Sequence, residues 1–192
     1  ETYVPSSISA VLEDRPRLAP EQAIKIIRKI LAILEYLKTK GILKYHGALR
    51  PQHILINPRG EDIFLRDFRL PETERFIRAT YGVPPTGYHY ASPEIWIDED
   101  DTPIDERADI YSLGCILYRF VTGENIFEGI PQDVMEMHMD TEALPIIQSR
   151  YEIPLVFHDI MIKMLEKSPS ERYQSYAQLA DDIDNLIGTT DS

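Results

Sequence analysis

Apolar residues recur at Ala23, Ile27, Ile30, Leu34 and Leu37, in steps of three and four, and Ile24, Ile26, Leu31 and Ile33 widen that stripe until little polar face remains. The spacing predicts a largely buried helix from Pro20 to Lys40, ended by Gly41. Upstream, Ser6 or Ser7 can cap a short helix carrying Ile8, Val11 and Leu12, which the Arg15-Pro16 pair breaks. Two short β-branched segments follow, Ile54 to Asn57 and Asp62 to Leu65, joined by Pro58-Arg59-Gly60-Glu61, whose composition suits a hairpin turn. Residues 69 to 93 have no sustained period and hold Pro71, Pro84, Pro85 and Pro93, so they read as a long ordered loop. A second apolar helix is predicted from Ala108 to Thr122, closed by Gly123. Further helices fall around Pro131 to His138, Leu155 to Glu166 and Tyr176 to Ile187, the last with Ser175 and Gln178 in capping-box spacing. The pattern is mostly α with a small β-hairpin element, and it reads as one domain over residues 1–192.

Composition narrows the partners. With 32 acidic against 20 basic residues the formal charge is -12, which argues against nucleic acid or an anionic membrane surface. No run reaches the roughly 18 apolar residues of a membrane helix, and the first residues lack a signal-peptide pattern. No membrane insertion and a cytoplasmic location are therefore expected. The single cysteine, Cys115, sits in an apolar helical stretch and is read as a core filler.

The stretch His46-Gly47-Ala48-Leu49-Arg50-Pro51-Gln52-His53 resembles the catalytic loop of eukaryotic-type protein kinases, written in that family as His-Arg-Asp-Leu-Lys-Pro-x-Asn. Other motifs follow in register. Glu1-Thr2-Tyr3-Val4 resembles the hinge strand, giving a hinge-like start at residues 1–5. Asp67-Phe68-Arg69 stands at the Asp-Phe-Gly position, and Tyr90-Ala91-Ser92-Pro93-Glu94 resembles the end of the activation segment. Asp109-Ile110-Tyr111-Ser112-Leu113-Gly114 is similar to the start of the family's central helix, and Leu165-Glu166-Lys167-Ser168-Pro169-Ser170-Glu171-Arg172 to its late arginine segment. The resemblance implies a protein-kinase-like C-terminal lobe, with a catalytic-loop remnant at 46–55 and an activation-segment-like loop at 67–94. Ser92 before Pro93 leans toward the bacterial Ser/Thr branch. No Gly-rich phosphate loop or strand lysine precedes the hinge-like start, so the N-terminal lobe is expected to be absent from this chain.

The resemblance also sorts residues by role. Glu94 and Arg172 would form a partly buried ion pair, and Asp109 would accept backbone N–H bonds from the loop around His46. The departures fall on chemistry: Ala48 replaces the catalytic aspartate, Arg50 the lysine that steadies the phosphoryl group, and His53 the metal-binding asparagine. Gly47 replaces the arginine that reads a phosphorylated loop, and Gly87 stands near a threonine position. These departures imply that the chain is not an enzyme but a pseudokinase, a catalytically inactive scaffold or regulatory module with no cofactor. The alternative is half of a nucleotide-binding pseudokinase, or of a weakly active kinase, whose N-terminal lobe lies outside the chain.

In a complete kinase the Leu55 position lies beneath the adenine, and the His46 and Phe68 positions stack toward the smaller lobe. Used without that lobe, Leu55, Phe68, Ile54 and Phe64 would form an apolar shelf, with Ile42 close by. Because contiguous apolar patches are seldom left exposed, a protein partner, a second copy or an adjacent domain is expected to cover it; local repacking is the competing reading. Asp67 is kept as a residual metal-site candidate. His46, His53 and Asp67 could converge on zinc, or His46 could pack in the core, His53 bond locally and Asp67 cap a turn, and no metal is expected. The acidic run 98–101 lacks the ligand alternation of a calcium loop and reads as solvated surface.

Overall fold

A computed structural model describes residues 5–14, 16–57, 62–68, 87–96, 104–143 and 155–190. The hinge-like segment 1–4, the turn 58–61, Arg69 with most of the 69–93 loop, and the acidic run 98–101 lie outside the described residues. Within them the chain runs β1 (Ser6–Ser7), α1 (Ile8–Asp14), α2 (Pro20–Thr39), β2 (Ile54–Ile56), β3 (Ile63–Leu65), α3 (Pro93–Trp96), α4 (Glu106–Thr122), α5 (Pro131–Asp140), α6 (Leu155–Met164) and α7 (Tyr176–Thr190). Single 3-10 turns cover Pro51–His53 and Tyr88–Tyr90, the second inside the stretch predicted as loop.

Helix α4 is the axis of the molecule. Asp105 caps its start, accepting from Arg107 N at 2.9 Å, and Gly123 ends it in a left-handed turn (φ 79°) whose N–H donates to Arg119 O. A Cβ on Gly123 would lie 2.6 Å from the Pro16 carbonyl oxygen, so the chain can pass here only over a glycine. Every residue from Ala108 to Tyr118 is buried, which removes the polar face an ordinary surface helix keeps. Helix α2 packs on α4 and α7, burying Ala23, Ile24, Ile27, Ile30, Leu31 and Leu34, and α6 closes the other side of α4. Cys115 lies in this core, where burial pushes its thiol up to about 12.

The β element is larger than the hairpin the sequence suggests. β2 and β3 pair antiparallel in the register Ile54↔Leu65, Leu55↔Phe64 and Ile56↔Ile63, and β1 adds a third strand through Ser6↔Ile56 and Ser7↔Leu55. Ser7 then caps the next helix, its Oγ accepting from Ala10 N at 3.3 Å. Alternation along β2 decides which side chains face out. Ile54 is completely buried and Ile56 nearly so, while Leu55 between them is half-buried. The expectation that Ile54 lines an exposed shelf is corrected accordingly: its side chain points into the core, on the opposite face from Leu55.

Candidate functional site

The loop from 46 to 53 is held from below by one carboxylate. Asp109, buried in the first turn of α4, accepts from His46 N at 2.5 Å, from Gly47 N at 2.9 Å and from the Tyr176 hydroxyl at 2.6 Å. Burial pushes Asp109 up to about 6 although all three bonds favour its charged form. Gly47 takes φ 78°, so the residue that replaces the family arginine also supplies a backbone turn that side chains rarely adopt. A second brace lies behind. Arg172 meets Glu94 through two parallel bonds, NH1 to Oε1 at 2.7 Å and NH2 to Oε2 at 2.8 Å, and both residues are buried to 2% exposure. Its remaining donors reach the carbonyls of Glu166, Lys167 and Arg107, so all five guanidinium N–H groups are used. The pair is more deeply buried than the resemblance implies.

His46 is fully buried, with its ring 4.4 Å from that of Phe68. Its Nε2–H donates to the Arg66 carbonyl at 3.1 Å and its Nδ1 accepts from Ala48 N at 3.2 Å, which fixes a neutral tautomer. Burial, the largest influence, lowers its pKa to about 4. His53 is also neutral by geometry: Nδ1–H donates to the Ala48 carbonyl at 2.8 Å, and Nε2 accepts from Arg50 Nε at 2.8 Å. Burial lowers its pKa, the Ala48 bond opposes that, and the charge of Arg50 adds to the lowering.

These bonds define what the site can do. The lone pair of His53 that a metal would need is committed to Arg50, and the Asp67 carboxylate lies 3.5 Å from the same nitrogen without a proton between them. Asp67 is steadied instead by Arg66, at 3.3 Å, and its own backbone sits in the left-handed region (φ 58°), a conformation seldom taken outside glycine and found preferentially at functional positions. Among the described residues, no cluster of three or more His, Cys, Asp or Glu is placed to hold a metal ion. Ala48 contributes a backbone carbonyl and a methyl group, so any proton acceptor here must come from another residue; Asp67, with its side chain 51% exposed, is the accessible carboxylate of the loop pair. Arg50 is positioned by Gly87: a Cβ at 87 would lie 3.0 Å from Arg50 Cδ, so the glycine makes the space in which the arginine stem lies.

On the outer face of the sheet, Leu55 and Phe64 are direct cross-strand partners, half-buried and 46% exposed respectively. Phe68 is half-buried beside His46. The candidate residues thus fall into three groups: Asp109, Glu94 and Arg172 brace the loop; Arg50, His53 and Asp67 meet in one polar cluster beside Ala48; Leu55 and Phe64 share a sheet face that Ile54 does not.

Comparison with known proteins identifies the frame. The protein kinase domain matches residues 1–182, and the chain belongs to the protein kinase family. It is 31% identical over 183 residues to a probable serine/threonine-protein kinase of Clostridium perfringens, an alignment covering 94% of this chain and 26% of that protein. It is also 31% identical over 171 residues to the serine/threonine-protein kinase PknB of Mycolicibacterium smegmatis, covering 86% of this chain and 26% of that protein. A probable serine/threonine-protein kinase of Clostridium acetobutylicum is 26% identical over 184 residues, with 94% and 27% covered. The chain spans about a quarter of the length of the curated relatives it matches. The bacterial leaning of the motif reading agrees with them.

These relatives overturn one expectation. That the chain is not an enzyme rested on Ala48 and its neighbours; the relatives are named kinases and share the domain, which points to an enzyme. Physically, the loss of one general base does not remove all catalysis, since it supplies roughly 10²–10⁴ of an acceleration that in enzymes typically reaches 10⁶ or more. Among the described residues, no helix is long and apolar enough to cross a membrane.

Proposed function

We propose that this chain acts within a serine/threonine-protein-kinase-type protein as a regulatory, protein-binding module, engaged by an adjacent domain, another protein or a second copy over the outer face of its small sheet. The observation that carries the reading is the Leu55–Phe64 pair: two apolar residues opposite one another on the same face, with Phe64 46% exposed. Fully burying an aromatic side chain is worth about 1.5–3 kcal/mol, so a partner laid over this face gains affinity without disturbing the core behind it. Phosphoryl transfer to serine or threonine, the activity in the relatives' names, is the reaction this module would serve in the whole protein, with Asp67 and Arg50 as the charged groups nearest the family's chemical positions.

The test compares wild type with Phe64→Asp. The solution mass of this chain is measured by light scattering across concentrations, and thermal unfolding is recorded both for this chain and for the whole protein that contains it. Loss of self-association, or destabilisation of the whole protein well beyond that of this chain, supports the proposal. If Phe64→Asp changes neither, the sheet face binds nothing and the proposal fails.

A further inference from the structure

The first turn of α4 carries two carboxylates in neighbouring positions. Asp109 holds the 46–53 loop, and Glu106, three residues earlier on the same helix, lies close enough for its charge to oppose that of Asp109. Glu106 is in turn tied to two other helices. Its Oε1 accepts from Lys38 Nζ of α2 at 2.7 Å, and its Oε2 accepts from Tyr176 N, at the start of α7, at 3.1 Å. The Tyr176 side chain returns to Asp109 through its hydroxyl, and its ring lies under Lys38 Nζ at 5.9 Å. Groups from α2, α4 and α7 thus converge behind one loop.

Lys38 is the cation that balances this group. Arg107, next to Glu106 in the chain, is committed to Asp105, with Nε at 2.9 Å from Oδ1 and NH2 at 2.7 Å from Oδ2. The Lys38 side chain is 38% exposed and that of Glu106 14%, and both line an open pocket of about 640 Å³ with Ile42, Lys44 and Ile104. Asp109 is buried. The ion pair can therefore be reached from solvent, while the carboxylate that holds the loop cannot. Taking the charge off Lys38 would leave Glu106 uncompensated beside Asp109, in surroundings less polar than water, where like charges repel more strongly. Repulsion favours a protonated Asp109, and a neutral carboxyl is a weaker acceptor for the His46 and Gly47 amides than a carboxylate.

From this arrangement we infer that Lys38 is a positioning residue for the 46–53 loop: by cancelling the charge of Glu106 it lets Asp109 hold the His46 and Gly47 amides, so that a change of charge at the solvent-facing end of α2 is felt in the loop that carries Arg50 and His53. Lys38 thereby serves the phosphoryl-transfer role proposed above, on which its biological use rests, and the sheet face plays no part in it. The coupling runs through side chains in contact, Lys38 to Glu106 and Glu106 to Tyr176 and Asp109, and its sign is set by one uncompensated anion.

The experiment follows hydrogen exchange of the His46 and Gly47 amides by NMR at a fixed neutral pH, with the buried Leu113 and Ile116 of α4 reporting global opening. Lys38→Met should speed exchange at His46 and Gly47 by about three- to tenfold with a much smaller change at Leu113 and Ile116, and Lys38→Arg should keep the wild-type rates. Glu106→Gln should rescue Lys38→Met, because the charge that Lys38 cancels is then gone. The Asp109 carboxyl, also followed by NMR, should titrate higher in Lys38→Met than in wild type and lower in Glu106→Gln. The groups facing it in that titration are the His46 and Gly47 amides, the Tyr176 hydroxyl and Glu106. Unchanged loop exchange in Lys38→Met, an equal acceleration at Leu113 and Ile116, or an undiminished effect of Lys38→Met in the Glu106→Gln background each overturns the inference. If Lys38→Met does not fold, the Asp109 titration in Glu106→Gln decides: a midpoint equal to that of wild type refutes it. Phe64→Asp should leave the loop exchange unchanged, so failure here and failure of the sheet-face reading are read separately.

Discussion

Removing the Glu94 carboxylate should be among the most damaging single changes in this protein. Arg172 would keep its bonds to the Glu166, Lys167 and Arg107 carbonyls, but one N–H on each terminal nitrogen would lose its acceptor at 2% exposure. A buried donor left without a partner costs about 1–3 kcal/mol, so two on a cation give roughly 2–6, in line with the ~3–5 kcal/mol usual for breaking a buried pair. Glu94→Leu is therefore expected to destabilise by about 3–5 kcal/mol in urea unfolding, read from the midpoint at constant slope. Arg172→Met should cost at least as much. It takes the guanidinium away from the buried Glu94 carboxylate and also frees three backbone carbonyls that Glu94→Leu does not touch. The double variant restores charge balance, so its cost should fall well below the sum of the two singles. A Glu94→Leu cost under about 1 kcal/mol, or strict additivity in the cycle, would refute the reasoning, because it would mean water reaches the guanidinium.

Two other predictions concern the loop and the helix end. His46, held near 4 by burial, is neutral in the folded chain and protonates first in the unfolded one, so its contribution is complete above about 6.5 and is lost as pH falls toward 4, by up to about 3 kcal/mol. Asp109 acts with opposite sign: raised to about 6, its contribution is fully present below the ordinary carboxylate range and is lost as pH rises through 6. The quantity to measure is hence the difference in urea stability between wild type and His46→Phe from pH 7.5 to 4.5, which should shrink as pH falls; a constant difference would show that His46 does not titrate in this window. Gly123→Ala combines a left-handed backbone with a Cβ 2.6 Å from the Pro16 oxygen, and should cost more than the ~1–2 kcal/mol of the conformation alone, measured by thermal or urea unfolding. A cost at or below that range would mean the Pro16 carbonyl moves freely.

What was legible in the sequence follows the range of the signal. The stripe through Ala23, Ile27, Ile30 and Leu34 places α2 to within a residue at its end, because helix periodicity is local and strong. Ser175 and Gln178 do act at the start of α7, Gln178 N donating to Ser175 Oγ at 3.1 Å; the reciprocal bond, however, reaches Gln174 N, one residue before the position the capping pattern predicts. β1 has no signature in the sequence because Ser6–Ser7 carry no apolar alternation; only pairing with Leu55 and Ile56 makes them a strand. An outer-face position for Ile54 beside Leu55 conflicts with strand geometry, since adjacent strand residues point oppositely. The bond from Tyr176 to Asp109 spans 67 positions and leaves no local trace.

The polar cluster illustrates the same limit with a consequence for function. Read one position at a time, Arg50, His53 and Gly87 are three separate departures from a motif. In space they form one arrangement: His53 accepts from Arg50, and the missing side chain at 87 provides the volume across which that arginine lies. A histidine in place of an amide, an arginine in place of a lysine and a glycine in place of a threonine are then mutually dependent substitutions, since restoring a Cβ at 87 would press on Arg50 and loosen its hold on His53. Such coupling points to an alternative organisation of the loop, in which a departure at one motif position is accommodated by departures at the other two.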